Sequence, residues 1–241
     1  MTWNCAGGFL DKVQHVAAFR PDLAAIQECT DVRYPAVHDV VAARLGWDGG
    51  RDKKELIRKR GVGLYSCTGL TATPYERWDD TLHYALPMRV DAPQPFNVIA
   101  VWVKKTEEGK PPHGDRISDY VYMLERMLDS YRQFMVECDT VVIGDFNTSA
   151  FYEAQERNNR LTHNSIVAEL GARGLVSAYH AARQRTVHGD EPEMTHRNSG
   201  GPKHIDYCFI PQQWSERLGQ VAVEWLDCKS DHAALIVDIT E

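Results

Sequence analysis

The 241-residue sequence has no apolar run approaching the roughly 20 residues that a membrane-spanning helix requires. Its opening Thr2-Trp3-Asn4 has neither the charged nor the apolar region of a signal segment. A cytoplasmic protein is the expectation. The six cysteines, at 5, 29, 67, 138, 208 and 228, form no Cys-x-x-Cys pair and are too sparse for a disulfide scaffold, so they read as reduced core thiols. Internal repeats and low-complexity tracts are also missing. So is an excess of positive charge: 27 Lys and Arg against 34 Asp and Glu leave a net −7, which argues against a broad nucleic-acid footprint. A local basic stripe remains compatible with that balance. Arg51, Lys53, Lys54, Arg58, Lys59 and Arg60 form one, readable as a solvated loop or as a phosphate grip on a polyanion.

What is present is enough for a sizeable core: 43% of the residues are hydrophobic, and a chain of this length can fold as one domain over residues 1–241. Strand-like runs rich in β-branched and aromatic residues recur at Leu23–Gln27, Val62–Ser66, Leu82–Val90, Phe96–Val103, Thr140–Gly144, Ile205–Ile210, Val221–Leu226 and Ala233–Ile239. Helical spacing links Ile117, Tyr120, Val121, Leu124, Leu128, Tyr131 and Met135 into one apolar stripe. Shorter helices are predicted at Phe9–Phe19, Pro35–Leu45 and His163–Arg173, and Thr106–Asp115 reads as a polar linker. Strands outnumber helices and do not alternate strictly with them. That disfavours a doubly wound sheet or a TIM barrel and favours an α/β architecture of two packed mixed sheets with helices outside.

Several polar residues stand where a predicted strand ends, where a side chain can leave the core yet stay rigidly held. They are Asn4, Glu28, Asp145 and Asn147 in Gly144-Asp145-Phe146-Asn147, Asp206 inside an apolar run, and Asp231 with His232. On an extended backbone Asp145 and Asn147 point the same way and Phe146 points into the core. By the same period Asp231 and His232 point apart, so His232 needs a carboxylate from another strand, and Asp206 is the candidate. Each piece has an ordinary alternative: a turn for Gly-Asp-x-Asn, a surface carboxylate for Glu28, a strand-edge pair for Asp231-His232. Asp206 is harder to explain away, because a buried carboxylate costs several kcal/mol unless paired or metal-bound. Carboxylates converging with a histidine repel one another unless protonated or joined by a cation. Oxygen ligands such as Glu28 and Asn4 suit Mg²⁺ or Mn²⁺.

Taken together, Trp3-Asn4, Ile26-Gln27-Glu28, Gly144-Asp145-Phe146-Asn147, His204-Ile205-Asp206-Tyr207 and Ser230-Asp231-His232 resemble the endonuclease/exonuclease/phosphatase superfamily, in order and over nearly the whole chain. The resemblance implies a four-layer α/β sandwich and a metal-dependent phosphodiesterase of nuclease type. It implies a metal site at Glu28 with Asn4 and Asp231, Asp145 acting on the attacking water, Asn147 on the scissile phosphate, and Asp206 orienting His232. A nucleic acid or other phosphodiester is the expected substrate; the alternatives are a phosphomonoesterase, a lipid- or inositol-headgroup phosphoesterase, and a binding module that keeps the fold without the chemistry. Three departures bear on substrate. Trp102 stands where many relatives place a His or Tyr, either as a ligand contact or as core. Ala6 stands where many apurinic-site enzymes are acidic, and Gly200-Gly201-Pro202-Lys203 replaces their bulky residues, which makes abasic-site repair doubtful. Thr195-His196-Arg197 and Lys203-His204 read as a polar hairpin or as phosphate contacts.

Overall fold

The computed structural model describes residues 1–31, 43–49, 60–79, 81–105, 110–112, 115–156, 158–185, 189 and 191–240. In chain order the strands are β1 (Thr2–Asn4), β2 (Ala24–Thr30), β3 (Ala43–Gly49), β4 (Arg60–Ser66), β5 (Thr71–Pro74), β6 (Ala85–Asp91), β7 (Phe96–Trp102), β8 (Thr140–Asp145), β9 (Leu175–Ser177), β10 (His196–Asn198), β11 (Gly201–Lys203), β12 (Asp206–Pro211), β13 (Leu218–Glu224) and β14 (Ala234–Ile239). They form two six-stranded sheets, ordered β13-β14-β1-β2-β4-β3 and β5-β6-β7-β8-β12-β9, with β10-β11 as a separate hairpin. Both sheets are mixed: β1 runs parallel to β2 and β7 parallel to β8, while β1–β14 and β12–β8 are antiparallel.

Period-two alternation sets the layers. In β7, Val98, Ala100 and Trp102 enter the space between the sheets, while Ile99 and Val101 face the helices outside. Three apolar clusters follow. One lies between the sheets, one joins the second sheet to helices such as Asp119–Ser130, and one joins the first sheet to helix Phe9–Ala17. Three interlayer spaces make four layers, the sandwich expected from the sequence. Because central strands are buried on both faces, β7 and β8 read as near-continuous hydrophobic runs.

The long apolar stripe forms helix Asp119–Ser130, capped by Ser118, whose side chain accepts from Val121 N. It restarts as Arg132–Glu137 after Tyr131 leaves helical geometry. The helix predicted at Pro35–Leu45 is corrected where it is described: Ala43–Leu45 belongs to β3, and residues 35–42 lie outside the described residues. A bulge between Arg44 and Gly46 in the β3–β4 pairing puts Leu45 and Trp47, two residues apart, into different clusters. That hides the strand period from sequence. Of the basic cluster only Arg60 is described, and so is only part of the 106–115 linker. Among the described residues no helix is long and apolar enough to cross a membrane.

Candidate active site

The predicted residues meet at one end of the sandwich, where central strands of both sheets terminate. Asn4 is the last residue of β1, Asp145 the last of β8 and Asp206 the first of β12. The antiparallel β12–β8 register sets Asp206 directly opposite Asp145. Asn4 crosses between the sheets: its Nδ2 donates to Asp145 Oδ2 at 3.0 Å and to Glu28 Oε1 at 3.4 Å, while its Oδ1 accepts from Ala6 N at 3.0 Å. Glu28 sits in β2 at a break in the β2–β4 register, with φ 54, and its other oxygen is ion-paired to Arg60 of β4. Arg60 is a site neighbour that its composition cluster did not single out; only the β2–β4 pairing brings it to Glu28.

Asp145 and Asn147 also meet, by a route other than the extended backbone expected. Asn147 has φ 52, in the left-handed region, and its N–H donates to Asp145 Oδ1 at 2.8 Å, so the strand closes into a turn on its own carboxylate. Asn147 Nδ2 then donates to Asp145 Oδ2 at 3.0 Å and to Val103 O at 2.9 Å. Both its amide hydrogens are therefore directed at protein oxygens. Phe146 turns into the core as predicted, 5.6 Å from Phe209 in a stacked pair.

His232 Nδ1 donates to Asp206 Oδ2 at 2.9 Å, the cross-strand pairing expected. Its Nε2 lies 4.0 Å from Asp145 Oδ2. Burial alone would lower the His232 pKa, but Asp206, through charge and hydrogen bond, and then Asp145 raise it to about 9. Burial, then the charge of Asp206, holds Asp145 well above the usual carboxylate range. The loop carrying His232 is anchored twice. Trp3 Nε1 donates to His232 O at 3.2 Å, and Ser230 Oγ donates to Asn4 O at 2.7 Å while accepting from His232 N at 3.1 Å.

Contrary to the expected divergence, Asp231 brings a carboxylate oxygen to within 4.8 Å of ligand nitrogens of His196 and His232, although it is Asp206 that bonds His232. Asp231 is more than half exposed and lies 3.5 Å from His196 Nε2. His196 opens hairpin β10-β11, is bridged to His232, and packs its ring 4.5 Å from the His232 ring. Thr195 Oγ1 accepts from the N–H groups of both Ile205 and Asp206 at 3.0 and 3.1 Å, which fixes the start of β12. The sequence left Thr195 and His196 as a polar hairpin or as phosphate contacts; the hairpin forms, and its first strand backs the site. Trp102 is core: it is 4% exposed, with its ring 4.9 Å from Tyr84.

Ligand atoms of Asp145, Asp206 and His232 lie within 4.8 Å of one another, all three buried. Asp206 Oδ1 is buried and has no hydrogen-bond partner, an uncompensated carboxylate oxygen of the kind that a cation or a proton must satisfy. With Glu28 alongside through Asn4, the donor set is dominated by carboxylate oxygen, and it fits a hard divalent ion such as Mg²⁺ or Mn²⁺.

The family model for the Endonuclease/Exonuclease/phosphatase family matches residues 1–232. No curated protein matches the chain. Among solved structures, a 3′ phosphatase, NExo, from Neisseria, bound to a product DNA hairpin, is similar at 18% identity and TM-score 0.67, with 100% of this chain and 98% of that one covered. An AP endonuclease from Leishmania major is similar at 14% identity and TM-score 0.69, over 100% of this chain and 86% of that one. The endonuclease domain of TRAS1, a telomere-specific non-LTR retrotransposon, matches at 12% identity and TM-score 0.60, over 99% and 96%. At these identities the likeness is one of fold, and it agrees with the two packed sheets. With strand-end carboxylates facing an Asp-oriented histidine and a family match over nearly its full length, the chain belongs to the Endonuclease/Exonuclease/phosphatase family and is a divalent-metal-dependent phosphoesterase.

Proposed function

We propose that the chain, acting as a single domain over residues 1–241, hydrolyses phosphodiester bonds of a nucleic acid or nucleotide-like substrate by in-line attack of water. The observation that carries this reading is the opposition of Asp145 and His232 across 4.0 Å, with His232 held from behind by Asp206. Below pH about 9 His232 is an imidazolium. Its Nδ1 proton is committed to Asp206, so Nε2–H is the donor left for a phosphoryl oxygen as charge develops there. Asp145, with a raised proton affinity, accepts the proton of the attacking water. Asn4 and Asn147 hold the Asp145 carboxylate from two sides, and Asn147 reaches the scissile phosphate by releasing one of its two N–H bonds. Glu28, Asn4 and Asp231 would hold Mg²⁺ or Mn²⁺, Asp231 being the most exposed of the three. Such an ion, when bound, neutralises phosphoryl oxygens and relieves the repulsion among the carboxylates.

Two solved neighbours described as a 3′ phosphatase with DNA and an AP endonuclease support nucleic acid as the substrate class. The phosphatase among them also keeps a phosphomonoester at a DNA end as the second reading. Six free cysteines support a cytoplasmic setting.

The test is one panel, run with Mg²⁺, with Mn²⁺ and with chelator: single- and double-stranded DNA, abasic DNA, RNA, a generic diester, a generic monoester and inositol phosphates. Hydrolysis of nucleic acid that disappears with chelator is expected, with His232→Ala and Asp145→Ala each folded and at least about 100-fold slower. Activity confined to monoesters would overturn the nuclease assignment. Near wild-type rates in either variant would overturn the roles given to these two residues.

A further inference from the structure

Although the chain is acidic overall, aromatic and cationic side chains gather along one flank of the site. Shortly after Asn147 the backbone enters a short 3-10 turn, Ala150–Tyr152, with Ser149 as N-cap accepting from Phe151 N. The turn holds Phe151 out in solvent, 55% exposed, with the Tyr152 ring perpendicular to it at 5.4 Å. Lys203 of β11 brings its Nζ to 5.7 Å from the Phe151 ring and 5.9 Å from Tyr152. That ammonium is fixed by Asn198 Oδ1, Gly200 O and Gly201 O at 3.3–3.4 Å. The hairpin connects directly to the chemistry, since Lys203 pairs with His196 and His196 bridges to His232. A second aromatic–cation pair stands on helix Asp119–Ser130, where Lys105 Nζ lies 5.0 Å from the Tyr120 ring.

A single exposed phenyl ring needs no explanation in itself. This one stands on a capped turn beside a phosphoester site, backed by a second aromatic ring and a cation. Aromatic faces interleaved with lysines are what an unpaired strand requires: any base offers a π-face for stacking, and the cations follow the phosphates. A base inside a duplex is already stacked and paired, so it gains little from such a surface. We infer that Phe151, backed by Tyr152 and Lys203, is a stacking platform for an unpaired nucleobase next to the scissile phosphate, and that it directs the enzyme to single-stranded or frayed nucleic-acid ends. This inference rests on the nuclease reading above.

The experiment compares the full-length protein with Phe151→Ala and Phe151→Trp in Mg²⁺. The substrates are a single-stranded oligonucleotide, the same sequence as a blunt duplex, and bis(p-nitrophenyl) phosphate, which has no nucleobase. Expected for Phe151→Ala is a KM on the single strand raised roughly tenfold or more, with kcat little changed and the small diester unaffected. Phe151→Trp restores the KM. A 2-aminopurine placed in the single strand beside the cleavage position is quenched on binding by wild type and by Phe151→Trp, and not by Phe151→Ala. If wild type cleaves the single strand and Phe151→Ala matches it in KM and quenching, the platform is overturned while the nuclease reading stands. If wild type cleaves the small diester and no nucleic acid, the nuclease reading itself falls, and the platform with it.

Discussion

Asp206 and His232 show how much a single hydrogen bond decides at the residue scale. The Nδ1–Oδ2 contact of 2.9 Å both selects the tautomer and raises the imidazolium to about 9. Asp206→Asn keeps the shape and removes the charge. Because His232 is raised by that charge, catalysis dependent on its charged form is expected to be lost in wild type as pH rises through about 9, and at distinctly lower pH in Asp206→Asn. A pH–kcat profile of the two proteins measures this; coincident alkaline limbs would show that His232 does not act as a cation. Glu28 supports a second prediction. Its carboxylate accepts a hydrogen bond from Asn4 at 3.4 Å, so Glu28→Gln should raise the Mg²⁺ concentration needed for half-maximal rate by tenfold or more, with the melting temperature little changed. Unaltered metal dependence would remove Glu28 from the metal site. The residue types were legible in sequence because few ordinary roles put Asp206 inside an apolar strand. Arg60, Thr195 and His196 were named only within polar clusters, and their partners were not legible, since strand pairing and hairpin contacts bring them to Glu28, Asp206 and His232.

Among the elements, β8 is the one whose end decides the site. Gly144 has φ 149, and a Cβ there would stand 1.9 Å from Val101 O of the parallel neighbour β7. The two backbones can approach only without a side chain, at the residue directly before Asp145. Gly144→Ala should therefore destabilise the fold by at least about 2 kcal/mol, read by urea denaturation, and should depress activity beyond its effect on stability. A change below about 0.5 kcal/mol would mean that β8 can shift without cost. Element by element, strands and helices with strong periodicity matched their predicted places to within a few residues, as for β7 and helix His163–Ala172. Two kinds of element escaped. Short strands such as β5 and β9 are too brief to show a period, and β3 has its period broken by a bulge. The left-handed turn at Asn147 escaped for a similar reason: Asp-Phe-Asn fits an extended strand and a turn equally well until the β8 ladder ends.

For the whole molecule, buried titratable groups set the response to acid. Burial lowers His163 from 6.5 to about 3, and His204 and His196 are lowered by burial as well. A folded value below the unfolded one means that these neutral histidines contribute stability that is present above about 6.5 and is lost as pH falls. For His163 the loss runs from about 6.5 to about 3. Against its own burial, Glu191 is held at about 2, below its ordinary 4.5, by its bond to His180, and its contribution also fades as pH drops. His232 has the opposite sign, contributing below 6.5 and losing that contribution as pH rises through about 9. Asp145 opposes the histidines in the same window: raised from 3.8 to about 7, it favours the folded state increasingly as pH falls from 7 towards 4. Asp145→Asn removes that opposing contribution and should lose more stability than wild type between pH 7 and pH 4, by on the order of a few kcal/mol; coincident profiles in scanning calorimetry would show that Asp145 is not raised. By itself the sequence determined the layer architecture, the run of central strands and the residue types of the candidate site. Those follow from local periodicity and from the cost of burying charge, and both are written in neighbouring residues. Only the tertiary structure decided that Trp102 is core, that Asn147 bonds its own strand end, that Asp231 faces His196, and that an exposed aromatic flank lies beside the site. Each of these depends on which distant strands pair and in what register, and one residue of register reverses the side on which every side chain emerges.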